Sequence, residues 1–344
     1  MSKHSMGLYT NLDWNVIGAV LGIGVPKTPP RPVTGGLLHR MWRVDTEQGT
    51  YAVKVLNPEI MGRREAKHNY RVSERVAQAA YKKGVHAVPA RMVGNEPWIE
   101  VSGSHFMVFD WIEGRTLLAG ECTVSHARTI GDVLYGIHAL HINVDGLELP
   151  TGEEVPIETW RGHIKRAKQR GVCWGVPWEY LLDEVVCWSR LYGEAVRNLS
   201  EQVVVSHRDL DSKNVIWSDE DVPYLIDWES TGYINPTVEL VEVALNWSRL
   251  ADGAADKKRF QAVITAYVHA GGVPRDEVSD AVHATLGGTL AWLEYNMRRS
   301  LDDEVFGTEE RGLGTREVRH TIDALKRFTQ TAPECITWAN EILL

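Results

Sequence analysis

Residues 203 to 229 constrain the fold of this chain more than any other stretch of it. Val203 to Val205 form a β-branched run that suits a buried strand. The polar segment Ser206-His-Arg-Asp-Leu-Asp-Ser-Lys-Asn214 follows. Two short apolar runs, Val215 to Trp217 and Tyr224 to Ile226, then flank the turn-forming residues Ser218 to Asp221, which reads as a hairpin. Pairing Trp217 with Tyr224 and Ile216 with Leu225 puts Asn214 opposite Asp227 at the open end. A carboxylate and an amide oxygen are thereby expected side by side.

That pair suits Mg²⁺, a hard cation that takes oxygen ligands and keeps few from the protein. Asn214 and Asp227 are therefore the candidate metal ligands. Asp209, five residues before Asn214 on the same loop, is the candidate base for removing a proton from a hydroxyl. A base of this kind contributes roughly 10²–10⁴ in rate. His207 is read as structural, pinning the loop. The spacing His207-x-Asp209-x-x-x-x-Asn214, with Asp227 some 18 residues beyond Asp209, has the form of a kinase catalytic loop and its metal-binding Asp.

Upstream, Pro26 to Val33 holds four prolines in eight residues and is expected as an irregular connector. Leu37 to Asp45 and Thr50 to Leu56 then read as a hairpin around Glu47-Gln48-Gly49. By the two-residue period Tyr51, Val53 and Val55 share one face, while Ala52 and Lys54 share the other. Lys54, in Tyr51-Ala-Val-Lys-Val55, resembles the strand lysine that holds α- and β-phosphates, and Ala52 leaves room for a base. Helical spacing from Arg63 to Lys83 ends at Gly84, a left-handed cap. Lys54 needs an acidic partner on that helix. Glu65 fits the helical phase and Glu74 the distance along the segment; half a turn separates them, and Glu74 is chosen. Gly35-Gly36 reads as an ordinary turn. Gly22-Ile-Gly24 completes no phosphate-binding fingerprint, and no Walker A sequence is present.

Phe106 to Phe109 forms a further strand, broken at Asp110 to Arg115, where a hinge between two lobes is expected. Beyond it helical spacing dominates: Ile130, Val133, Leu134, Ile137 and Leu140 share one face, as do Val278, Val282, Leu286, Leu290 and Leu293. Most of the 13 tryptophans are expected in the core or between the lobes. The four cysteines form no CxxC pair and no basic-apolar leader precedes them, so free thiols in a reducing cytoplasm are expected. The apolar stretch Trp14 to Val25 is too short for a membrane span. A net charge of −9 argues against nucleic acid and would suit a cationic substrate.

These residues resemble the aminoglycoside phosphotransferase and choline-kinase-like family. The likeness rests on His207-Arg-Asp209, Asn214 and Ile226-Asp-Trp-Glu229, continues in Gly232-Tyr233 and Asn235-Pro236, and spans roughly Thr34 to Leu240. Two departures are Arg208 in place of Gly and Ser212-Lys213 in place of Pro-Gly. Lys213 reads equally as a phosphate contact and as a solvated side chain. The resemblance implies an α+β, two-lobed, protein-kinase-like fold with a small β-rich N-lobe (1–109), a hinge (110–115) and a larger, mostly helical C-lobe (116–344). It implies ATP or GTP with Mg²⁺, the purine meeting the main chains of Asp110 and Ile112.

The implied activity is phosphorylation of a small-molecule hydroxyl, most simply on an aminoglycoside or related antibiotic. The closest alternative is a metabolic kinase acting on an amino alcohol or sugar. Asp227-Trp-Glu in place of D-F-G and the lack of an A-P-E segment argue against a protein kinase. The joint presence of Lys54, Asp209, Asn214 and Asp227 argues against a pseudokinase. Glu229, Glu294 and the run Asp302-Asp-Glu304 could meet a cation, although a charge run is usually a solvated helix end.

Overall fold

The computed structural model describes residues 12–33, 39–118, 120–149, 154–302 and 307–343. Gly35-Gly36, Leu37, Asp303 and Glu304 lie outside these residues.

The N-lobe is built on a five-stranded antiparallel sheet. A short helix α1 (Trp14–Val20), capped by the Asp13 carboxylate, lays Ile17 against it, and Leu21 and Ile23 follow onto the same face. Strand β1 (Arg31–Val33) departs from the expected irregular connector. It lies on the sheet edge, where Pro32 opposite Trp42 removes no ladder bond that a further strand would need.

Strands β2 (Arg40–Thr46) and β3 (Gly49–Val55) pair from Arg40 opposite Val55 to Thr46 opposite Gly49, so their loop is only Glu47-Gln48. On the face of β3 bearing Tyr51, Val53 and Val55 the side chains enter a core with Val44, Phe106 and Val108. Lys54 emerges on the opposite face and is buried.

A one-turn helix α2 (Pro58–Met61), capped by Asn57, precedes the main helix α3 (Ala66–Lys82). Beyond α3 the N–H of Gly84 bonds to Tyr81 and that of Val85 to Ala80, a Schellman closure with Gly84 at φ +94°. Strands β4 (Ile99–Val101) and β5 (Ser104–Asp110) complete the sheet in the order β1-β2-β3-β5-β4. Ser102 and Gly103 both have positive φ, the two-residue turn geometry that suits a hairpin's twist.

The C-lobe has two apolar centres. Helices α4 (Val124–His138), α5 (Ile157–Arg170) and α6 (Trp178–Asn198) come first. Strand β6 (Val204–Ser206), the hairpin β7 (Val215–Trp217) and β8 (Pro223–Leu225), and β9 (Gly232–Ile234) follow. Helices α7 (Pro236–Ser248), α8 (Lys257–His269), α9 (Val278–Ala284), α10 (Leu286–Leu301) and α11 (Thr308–Leu343) complete the lobe. The single helical face expected from Val278 to Leu293 is two helices, broken at Thr285, whose hydroxyl caps back onto the Val282 carbonyl.

The first centre gathers α4, α7, α8 and the hairpin around Trp217, Trp228 and Trp247; the second packs α5, α6, α10 and α11 around Trp160, Trp174 and Trp188. Six tryptophans are thus core residues. Among the described residues no helix is long and apolar enough to cross a membrane.

Two chain segments reach the β7–β8 hairpin. After α3, the Val88 N–H bonds to the Leu225 carbonyl, and the Leu225 N–H bonds to His86. After β5, Arg115 and Trp217 exchange both main-chain hydrogen bonds, at 3.0 and 2.9 Å. Gly114, at φ +151°, makes this approach possible, since a Cβ there would stand 2.3 Å from the Trp217 carbonyl oxygen.

Candidate active site

The catalytic loop is held from several sides. Its entry strand β6 pairs with β9, Ser206 facing Gly232, and the Thr231 hydroxyl donates to the Ser206 carbonyl. His207, fully buried, donates from Nε2 to the Ile226 carbonyl at 3.0 Å. Its Nδ1 accepts the Asp209 N–H at 3.3 Å, and these two partners together select the neutral Nε2–H tautomer. Arg208 takes a left-handed φ of +63°, and its N–H donates to buried Glu239 on α7 at 2.9 Å. The other Glu239 oxygen meets His138 Nε2 at 2.7 Å, and His138 Nδ1 meets the Tyr267 hydroxyl at 2.9 Å. Trp247 closes the far side by donating from Nε1 to the Leu210 carbonyl.

Asp209, Lys213 and Asn214 form one hydrogen-bonded set. Asn214 Nδ2 donates to Asp209 Oδ2 at 2.8 Å and to its main-chain oxygen at 2.9 Å. Lys213 Nζ lies 3.3 Å from Asp209 Oδ1 and 2.9 Å from Asp211 Oδ2. Burial pushes the Asp209 carboxyl above its ordinary range, against the pull of Lys213. The Lys213 ammonium is raised in turn, because the Asp211 and Asp209 charges more than offset its own burial.

The hairpin register differs by one residue from expectation. Val215 faces Leu225, Ile216 faces Tyr224, and the Ile226 N–H bonds to the Asn214 carbonyl, so Ile226 stands where Asp227 was expected. The cause is the turn. Ser218 and Val222 close a three-residue loop in which Asp221 adopts φ +57°, a conformation that Asp tolerates, in place of a four-residue loop. Asp227 itself then takes φ +61°, which bends the chain out of the strand.

The Asp227 carboxylate belongs to a second set. Lys54 Nζ lies 2.9 Å from Asp227 Oδ1 and 2.6 Å from Glu229 Oε1. Burial opposes the Lys54 charge, but Glu229 and Asp227 outweigh it and hold the amine well above the ordinary lysine range. The other Glu229 oxygen meets His39 Nε2 at 3.3 Å and accepts from the Tyr70 hydroxyl at 3.4 Å. Burial would raise the Glu229 carboxyl; Lys54 and His39 instead hold it far below the carboxylate range.

The expected pairing of Lys54 with Glu74 is not formed. Glu74 lies on α3 and is buried, but its carboxylate accepts from the Ala90 N–H at 2.7 Å. Burial lifts its pKa to about 7. Its helix-borne rival Glu65 is exposed at the head of α3, on the rim of a cavity of about 160 Å³ that also touches Tyr70 and Glu229.

Ala52 sits opposite Phe109 on β5, two residues from Lys54. Asp110 ends β5 opposite Tyr51 with its carboxylate on Arg91, and Ile112 lies in the segment leading to Arg115. Sequence reasoning attached no role to His39, Tyr70, Glu239, His138 or Tyr267. Glu229 is expected from the sequence as a member of the Ile226-Asp-Trp-Glu229 motif and as a contact for a cation, not as a partner of Lys54.

A strand lysine, a loop aspartate and a hairpin carboxylate so arranged belong with the sequence match over residues 30–272 to the phosphotransferase enzyme family. The chain belongs to that family. It is accordingly a small-molecule phosphotransferase that acts on hydroxyl groups.

Among solved structures the phosphotransferase is similar to spectinomycin phosphotransferase APH(9)-Ia in complex with ADP and spectinomycin. That match has a TM-score of 0.64 and 11% identity, covering 88% of this chain and 93% of that one. It is also similar to the macrolide 2′-phosphotransferase MphH of Brachybacterium faecium, with TM-score 0.56, 17% identity and coverage of 88% and 96%. A choline/ethanolamine kinase family protein of Mesorhizobium loti matches with TM-score 0.56, 17% identity and coverage of 93% and 96%. At such identities the likeness is one of fold. A search of curated protein sequences returns no match.

Proposed function

We propose that the phosphotransferase moves the γ-phosphoryl group of ATP, or of GTP, to a hydroxyl of an aminoglycoside or related antibiotic, with Asp209 as base. The observation that carries the reading is the Asp209 carboxylate, fixed by the Asn214 amide and flanked by Lys213 within the catalytic loop. A carboxylate whose burial raises its proton affinity is a better base than an ordinary aspartate. The acceptor oxygen forms its bond to the γ-phosphorus as the bond to the β-phosphate oxygen breaks. The hydroxyl proton passes to Asp209, and the nucleoside diphosphate leaves. Lys54 is the proposed contact for the α- and β-phosphates, with Ala52 beneath the base and the main chains of Asp110 and Ile112 along the purine.

The oxygen chemistry of Asn214 and Asp227 supports Mg²⁺, although Ile226 rather than Asp227 stands opposite Asn214. Asn214 commits its Nδ2 to Asp209, which leaves Oδ1 as its free acceptor, and Asp227 commits one oxygen to Lys54, which leaves the other. Mg²⁺ held there by Asn214 and Asp227 would neutralise phosphate charge. ADP in the complex of the spectinomycin enzyme supports an adenine nucleotide. An amino alcohol as acceptor is the second reading, favoured by the likeness to the choline/ethanolamine kinase family protein.

The test is nucleoside diphosphate release across aminoglycosides, macrolides, amino alcohols and sugars, with ATP and with GTP. Turnover with one class, abolished by Asp209→Ala, is expected. Label transferred to proteins with no small-molecule turnover would overturn the proposal.

A further inference from the structure

Glu229 is the hub of a contact between the lobes. It sits in a one-turn helix of the C-lobe, Trp228–Ser230, immediately after the Asp227 kink. Each of its close polar partners belongs to the N-lobe: Lys54 on β3 through one oxygen, and His39 before β2 and Tyr70 on α3 through the other. Those partners are themselves fixed. The Tyr70 hydroxyl lies 2.9 Å from His39 Nε2, and His39 Nδ1 accepts the Asn57 N–H at 3.0 Å. Glu229 is therefore pinned before it touches the lysine.

The helix glutamate that could do the same work is engaged elsewhere. Glu74 is held by the Ala90 N–H, so Lys54 receives no ion pair from α3. A lysine stem has four rotatable bonds, and an ammonium buried without a fixed counter-charge would not stay aimed at a phosphate.

We propose that Glu229, and not the α3 glutamate, is the residue that positions Lys54 for the nucleotide phosphates, with His39 and Tyr70 fixing Glu229 in turn. The inference rests on the reading of Lys54 as the phosphate contact. Glu229 is a positioning residue here: it acts through the lysine and touches no reacting atom. The arrangement also couples the lysine to lobe closure, because the anchor and the lysine belong to different lobes.

The test separates phosphate recognition from base recognition by titrating full-length protein with ADP and with adenosine in EDTA. Working without Mg²⁺ removes any contribution of Glu229 to a metal. Glu229→Gln is expected to weaken ADP about tenfold, the scale of a lost charge-assisted hydrogen bond, while adenosine binding holds. In a Lys54→Met background the same substitution is expected to change ADP affinity no further, the non-additivity of a residue that acts through another.

Equal weakening of ADP and adenosine by Glu229→Gln would overturn the inference, as would full additivity with Lys54→Met. Loss of ADP affinity on Glu74→Gln but not on Glu229→Gln would overturn it too. A wild type that binds neither ADP nor GDP would sink the reading of Lys54 as the phosphate contact together with the inference; a wild type that binds ADP, with Glu229→Gln indistinguishable from it, sinks the inference alone.

Discussion

The Glu239 carboxylate reaches from α7 to the backbone N–H of Arg208 at 2.9 Å, immediately before the proposed base Asp209. It does so at a residue whose left-handed φ of +63° is uncommon for an arginine. Behind Glu239 stand His138 and Tyr267, so a buried polar chain crosses from α4 and α8 to the catalytic loop. Opposing its own burial, the hydrogen bond and charge of His138 hold the Glu239 carboxyl below its ordinary range.

Glu239→Ala leaves the Arg208 N–H and the buried His138 without their shared partner. A cost of about 3–5 kcal/mol is expected in urea unfolding, in line with other buried pairs broken on one side. Because the strained loop loses its brace, kcat should fall by a larger factor than KM rises. Unchanged kcat in a destabilised variant would refute the bracing role.

Asp209→Asn keeps an oxygen for the Asn214 amide and removes the base. The expected outcome is a loss of roughly 10²–10⁴ in kcat with little change in the KM for nucleotide. Steady-state kinetics with the best acceptor measures both. Retained kcat would assign proton removal elsewhere.

Glu74 makes stability depend on pH in a stated direction. Its carboxyl is raised by burial to about 7 in the folded chain, from an ordinary glutamate value of 4.5. Between those values the folded state holds a proton that the unfolded state has released, so stability falls as pH rises through this window and levels off above it. Glu74→Gln, which keeps an oxygen for the Ala90 N–H, removes the effect. The variant should gain about 1–3 kcal/mol on wild type between pH 5 and pH 8 in urea melts.

Gly114→Ala tests the approach of the post-β5 segment to the hairpin. A methyl group there meets the Trp217 carbonyl oxygen at 2.3 Å, and the backbone sits at φ +151°. A loss of about 1–3 kcal/mol is expected, together with faster hydrogen exchange at the Arg115 and Trp217 amides, whose mutual bonds it forces apart. Exchange unaltered at both amides would count against the close contact.

Much of this molecule is legible in its residues, and the failures have local causes. The alternation around Lys54 fixes the β3 faces because the pleat has a period of two regardless of context. The hairpin register was missed by one residue because it depends on whether Asp221 enters the left-handed region, which composition alone does not decide. Strand β1 was missed because four prolines argue against a strand, an argument that weakens on a sheet edge. Helical spacing points to a partner for Lys54 on α3, whereas Glu229 lies 175 residues away in sequence and only the tertiary fold brings it to the lysine. His138 and Tyr267 carry no sequence signal, since their value lies in three helices converging on one carboxylate.

The bonds from His86 and Val88 on one side of the β7–β8 ribbon, and from Arg115 on the other, give that ribbon a mechanical meaning. The segment that leaves α3 and the segment that leaves β5 are both riveted to the same piece of backbone. The ribbon that carries these bonds also starts at Asn214, so the backbone that seats this amide beside Asp209 is the one to which both N-lobe segments are tied.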